Sequence, residues 1–248
     1  MNMTKRLTVS LAFSALALFG AQTVSAAALD LTDGDTIKLT REASNYGGAF
    51  GGGEFVASGV SVLNGAGDSF LTFCLEFTEH ISLGTNYYVK VNTGAVNGGN
   101  STAGTYAGDI SGTSAFDPLS NATAWLYTQY RNNTLSGFVN NNASANSLQL
   151  AIWSLEGELT GSAAASALSA YNSDSVAQGW VAAATGAGWT NIGNVRVLNL
   201  YTNASFTTRA QDQLYLAPIP EPETYALMGL GLGMLGFVAR RRKQQVAA

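Results

Sequence analysis

Residues 117–130 read Asp-Pro-Leu-Ser-Asn-Ala-Thr-Ala-Trp-Leu-Tyr-Thr-Gln-Tyr, and this run decides the fold class. Asp117 offers an N-cap, and Pro118 suits the first helical position because that position has no N–H bond to lose. Leu119, Ala122, Trp125, Leu126 and Tyr130 then recur at helical spacing. A second helix is expected from an N-cap at Asn146, with Leu148, Ala151, Ile152 and Leu155 on one face and an end by Gly161. The alanine-rich stretches Ser162 to Ala170 and Ser173 to Ala184 read as two further short helices. The asparagine-rich residues 132–146 read as the loop joining the first two.

On both sides of this middle the apolar period shortens. Strands are expected at Thr36 to Thr40, Glu54 to Val62, Phe70 to Thr78, Tyr87 to Val91, Val195 to Tyr201 and Gln213 to Leu216, each rich in Val, Ile, Leu, Phe, Tyr or Thr. Strand runs at the ends and helical runs between them give an α+β domain, an antiparallel β-sheet or barrel-like part with a small helical insertion. The Gly47 to Gly53 run is a loop; it lacks the lysine of a phosphate-binding P-loop.

Composition narrows the function classes. The 248 residues are 46% hydrophobic and only 11% charged, enough apolar matter for a core and too little charge for typical disorder. One cysteine and one histidine exclude a Cys-rich zinc site and an intrachain disulfide, and no metal or cofactor is expected. Of the 12 basic residues, Lys5, Arg6, Arg240, Arg241, Arg242 and Lys243 stand at the termini. The acidic remainder argues against nucleic acid as a partner.

Both termini read as targeting devices. Lys5 and Arg6 precede an apolar run from Leu7 to Phe19 and small residues around Val24-Ser25-Ala26, the layout of a secretory signal peptide over residues 1–26 with its signal helix. At the other end, Pro220-Glu221-Pro222 is followed by the apolar, glycine-spaced stretch Tyr225 to Ala239 and then by Arg240-Arg241-Arg242-Lys243. Fifteen residues at ~1.5 Å each make a short transmembrane helix, and the basic cluster should stay cytoplasmic. This order resembles the PEP-CTERM sorting signal of exopolysaccharide-producing Gram-negative bacteria. The resemblance implies that residues 218–248 anchor the chain at the inner membrane, and that an exosortase partner cuts near the Pro-Glu-Pro and passes the exported domain, residues 27–217, to the cell surface or matrix.

Within that domain, Cys74 lies in Leu71-Thr72-Phe73-Cys74-Leu75-Glu76-Phe77, and Leu148-Gln149-Leu150-Ala151-Ile152-Trp153 falls on the expected second helix. The two segments resemble the paired motifs of the TQXA, or Cys-Gln thioester, domains of bacterial surface adhesins, with Leu148 where that family has threonine. The resemblance implies a thioester cross-link between Cys74 and Gln149, opened by a nucleophile on a target surface. The residue types suit that chemistry: a thiolate held in contact can attack an amide, and a glutamine offers a neutral carboxamide. Two other readings of the residues stand beside it. Cys74 is a buried, inert side chain while Gln149 completes a capping box with Asn146, or Cys74 forms an intermolecular disulfide.

Other chemistry is weaker. His80 lies six residues along an extended strand from Cys74, ~20 Å away, too far to serve it as a base. Glu76, Glu79, Glu156 and Glu158 read as a solvated acidic surface rather than a glycosidase pair, and Asp30, Asp33 and Asp35 as a turn into the first strand rather than a calcium loop. Trp125 and Trp153 are expected in the core. Trp180 and Trp189 are core residues or part of a carbohydrate-binding surface. The expectation is thus an exported, exosortase-sorted surface or matrix protein, not an enzyme, that adheres through a Cys-Gln thioester to a surface protein or polysaccharide. The alternative is a carbohydrate-binding or structural matrix protein with an inert cysteine.

Overall fold

The computed structural model describes residues 29–41, 49–62, 68–96, 116–218 and 228–235. Six strands form one antiparallel sheet: β1 Thr36–Thr40, β2 Phe55–Ser61, β3 Ser69–Thr72, β4 Asn86–Asn92, and two strands near the end of the domain, Val195–Tyr201 and Arg209–Leu216. A small second sheet pairs β5 Gly94–Val96 with β6 Phe116–Pro118, so the last two strands are β7 and β8. The order in the main sheet is β3-β2-β1-β4-β7-β8.

The sheet does not stop at its two outer strands. Beyond β3 the chain stays extended, and the Leu75 N–H donates to Asp212 O (3.0 Å) and the Leu214 N–H to Phe73 O (3.1 Å), with Cys74 opposite Gln213. These bonds join β3 to β8 and close the sheet into a barrel, which removes both edges. Helix α1, Asn121–Arg131, locks the seam: the Tyr127 hydroxyl lies 2.7 Å from Leu71 O and 3.1 Å from Leu214 O.

The helices lie together in the chain between β6 and β7: α1, α2 Asn142–Leu155, α3 Ala165–Ser173 and α4 Ser175–Gly186. Helix α2 packs on α4, and both contribute to the single core that the barrel fills with Ile37, Leu39, Phe55 and Leu214. Trp153 and Trp180 are buried there, the latter donating its indole N–H to Ser136 O (2.9 Å), whereas Trp125 and Trp189 are half-buried against the same core. The α+β architecture with a helical insertion agrees with the sequence expectation.

Two helix starts differ from expectation. Asp117 and Pro118 belong to β6, and α1 is capped by Ser120, whose Oγ accepts from Thr123 N–H. The cap of helix α2 lies five residues before the expected Asn146, at Asn141, which accepts from Ser144 N–H, and the polar first turn adds nothing to the apolar period. The short strands β5 and β6 had no sequence signal. Asp35 accepts from Thr32 N–H (2.7 Å) in the turn before β1, as expected of that aspartate cluster.

The N-terminal signal helix, the motif Pro220-Glu221-Pro222 and the cluster Arg240, Arg241, Arg242 and Lys243 lie outside the described residues. Of the expected span from Tyr225 to Ala239, residues 228–235 are described; they are helical, with Met228, Leu230, Leu232, Met234 and Leu235 exposed. Among the described residues no helix is long and apolar enough to cross a membrane.

Candidate functional site

The barrel seam places Cys74 in the middle of three glutamines. Cys74 and Gln213 face each other between the two seam hydrogen bonds, a non-hydrogen-bonded pair in which side chains approach most closely. The Cys74 N–H and C=O consequently point away from β8, at a level where β2 has already ended its pairing with β3 at Phe55 opposite Thr72. Gln149 on α2 fills that gap. Its Oε1 accepts from Cys74 N–H (3.2 Å) and from Gly53 N–H (2.8 Å), and its Nε2 donates to Cys74 O (2.8 Å). A single carboxamide thereby does the work of a missing strand neighbour, satisfying buried backbone groups that would otherwise be orphaned.

Gln149 is held in turn. A Cβ on Gly52 would sit 2.8 Å from Gln149 Oε1 and 2.8 Å from the Trp153 ring, so only glycine lets the 49–53 turn lie this close. Arg41 fixes that turn by donating to Gly52 O (3.0 Å), while its guanidinium stacks 4.9 Å from the Phe55 ring centre. Phe77 closes the outer side against Trp153, edge to face at 5.0 Å.

The thiol itself faces β8. Cys74 Sγ donates to Gln211 Oε1 at 2.9 Å, and Gln213 Nε2 approaches the sulfur at 3.7 Å. Gln211 Nε2 donates to Glu76 O (2.8 Å), which fixes the orientation of its carboxamide. The carboxamide carbon, one ~1.23 Å C=O bond from the contacted oxygen, is thus within van der Waals reach of the sulfur. Burial pushes the Cys74 thiol up to about 12, against the opposing pull of the Gln213 bond and the Arg41 charge. Sequence reasoning brought Cys74 and Gln149 to one site but missed Gln211. Its period-two placement with Gln213 on one face of a strand was the available signal.

The acids are not a solvated surface. Glu76 and Glu158 are buried, and Glu156 is half-buried with its carboxylate accepting from Ser120 N–H (3.3 Å). Glu158 Oε2 accepts from Phe77 N–H (3.1 Å). Carboxylate oxygens of Glu76, Glu79 and Asp212 lie within 4.8 Å of one another. Asp212 is anchored by Val96 N–H (2.8 Å) and Asn199 Nδ2 (2.9 Å), whereas both carboxyl oxygens of Glu76 are buried without a donor. Burial first, then the mutual repulsion of these acids, raises the Glu76 and Asp212 carboxyls well above the ordinary range.

Compared with known proteins, the chain matches the model of the PEP-CTERM protein-sorting motif over residues 218–243. No curated protein and no solved structure matches it. The motif covers Pro220-Glu221-Pro222, the apolar stretch and the basic cluster, and makes this an exported protein that an exosortase processes, held at the membrane and then delivered to the cell surface.

Proposed function

We propose that the exported domain is a surface or matrix adhesin, not a turnover enzyme, carrying a masked acyl group as a thioester between Cys74 and Gln211, with Gln149 as the clip that fixes the cysteine backbone. The observation that carries this reading is the 2.9 Å approach of Cys74 Sγ to Gln211 Oε1 in a buried site. Contact of this kind, held by the surrounding fold, replaces a bimolecular encounter with a positioned one.

The step balances. The sulfur adds to the Gln211 carboxamide carbon, the C–N bond breaks, and the thiol proton leaves with the amide nitrogen as ammonia. When a primary amine on a target later adds to the same carbon, an amide forms and Cys74 regains its thiol. Burial of both Cys74 and Gln211 would slow hydrolysis by keeping water from the bond. The C-terminal anchor expected over Tyr225 to Ala239 would hold the domain at the membrane until it is sorted.

Intact-mass measurement of the purified protein tests the reading. The expected mass falls short of the calculated one by one ammonia. Methylamine should add at Gln211 to give an N-methyl amide one CH2 heavier than glutamine and expose one alkylatable thiol, and Cys74→Ala should abolish the deficit. Peptide mapping distinguishes Gln211 from Gln149 as the acyl residue. A full calculated mass, with Cys74 alkylated on unfolding before any amine is added, rejects the bond.

One observation favours the non-covalent alternative. Tyr130, Phe138, Asn133 and Asn140 line a cavity of about 100 Å³, where the two rings meet edge to face at 5.0 Å, and aromatic rings beside amide groups suit a sugar. Glycan-array binding that survives unchanged in Cys74→Ala would support that reading over adhesion through the thioester.

A further inference from the structure

The groups left unexplained by the seam are the three acids next to it. Glu76 and Glu79 lie on the segment that follows β3, and Asp212 lies on β8 across the seam. One oxygen from each falls within 4.8 Å of the others, the diameter of a coordination sphere with ~2.4 Å Ca–O bonds. Proximity alone proves little, since carboxylates cluster for many reasons. The second observation is Glu76 itself: it is only 1% exposed, it points into the cluster, and neither of its carboxyl oxygens accepts from any N–H or O–H. Buried acceptors of this kind are rare unless something unseen satisfies them.

We propose that Glu76, Glu79 and Asp212 form a calcium site that ties the β3 extension to β8. The donor set is oxygen only, which suits a hard cation and disfavours zinc or copper. Asp212 is preoriented by Val96 N–H and Asn199, so one ligand is fixed before the ion arrives. The other two come from a seven-residue stretch that carries Cys74, so the ion would brace the segment that presents the thiol. Three carboxylates against a divalent charge leave one excess negative charge, and Arg209, whose field already acts on Glu79, offsets it. Magnesium is the poorer fit, because its ~2.1 Å bonds demand a contracted, near-octahedral site.

The test uses the full chain after removal of metal with a chelator. Calorimetric titration with calcium should give one site per chain, and the melting temperature should rise with calcium as mass action requires. Glu79→Gln and Asp212→Asn should each weaken calcium binding by at least tenfold, and magnesium should bind more weakly than calcium. Cys74→Ala keeps all three acids and should keep the full calcium response, which separates this site from the fate of the thioester. Absence of heat and of any melting shift in the wild-type chain at ~5 mM calcium, above the ~10⁻³ M range of weak extracellular sites, overturns the proposal. So does a shift that sodium chloride reproduces at equal ionic strength, or one that persists in folded Glu79→Gln.

Discussion

Of the three glutamines around Cys74, Gln149 and Gln211 should respond differently to truncation. Gln149→Ala removes three hydrogen bonds and leaves the Cys74 and Gly53 N–H groups and the Cys74 carbonyl buried without partners. At ~1–3 kcal/mol for each buried group left unsatisfied, the loss should reach ~3 kcal/mol or more, readable by chemical denaturation. Gln211→Ala spares that clip and should destabilise less, yet it should abolish the one-ammonia mass deficit. If Gln211→Ala keeps the deficit and Gln149→Ala loses it while still folded, the roles are exchanged. At Gly52 a methyl would collide at 2.8 Å with both Gln149 and Trp153. Gly52→Ala should cost ~1–3 kcal/mol through forced displacement of that pair. Gln149 was legible because it stands in an apolar helical run. Gln211 was passed over although it shares a strand face with Gln213, because Gln211, Asp212 and Gln213 are all buried polar residues in a strand whose neighbours would be expected to alternate with apolar ones. A pattern rule built on apolar periodicity is blind where the interior itself is polar.

Helix α1 illustrates how tertiary pairing overrides a local start signal. Asp117-Pro118 looks like a cap and first turn, but Gly94 opposite Pro118 lets a strand approach so closely that a Cβ there would lie 2.2 Å from Asp117 O. The pair is recruited into β6, and Ser120 caps the helix instead. Ser120→Ala should cost ~1 kcal/mol, measured by thermal or denaturant unfolding. The end of α2 meets this same cap through Glu156, whose burial pushes its carboxyl up to about 7 despite the bonds from Ser120 and Thr123 that oppose the shift. The ordinary value is ~4.3, so the folded chain holds a proton that the unfolded chain gives up. That contribution is fully present below pH ~4.3 and is lost as pH rises through about 7. The melting temperature should therefore fall between pH 5 and 8, and Glu156→Gln should flatten part of the slope. A wild-type melting temperature that climbs over that interval contradicts the assignment. The strands Thr36 to Thr40 and Val195 to Tyr201 were legible to the residue, since apolar, β-branched and aromatic residues crowd both. Barrel closure was not, because it depends on 73–75 meeting 212–214 across more than a hundred residues.

At the scale of the molecule, the closed barrel and its address have separate physical origins. The seam joins the third strand to the last, so the main sheet closes through residues that all lie between 29 and 218. The sorting motif over residues 218–243 begins just after the last strand, which ends at Leu216. Removing residues 218–248 should consequently leave folding intact and change only destination. By the positive-inside rule the basic cluster Arg240 to Lys243 would hold the C-terminal end in the cytoplasm, so replacing all four with alanine should weaken anchoring while leaving Pro220-Glu221-Pro222 in place. Fractionation with a tag inside the exported domain reads both. The full chain is expected first with the membrane and then, shortened, at the cell surface, whereas the truncated chain should appear folded and soluble in the exported fraction. Equal surface delivery with and without residues 218–248 would show that the address lies in the barrel domain. A truncated chain that fails to fold would show that the seam needs more than β3 and β8.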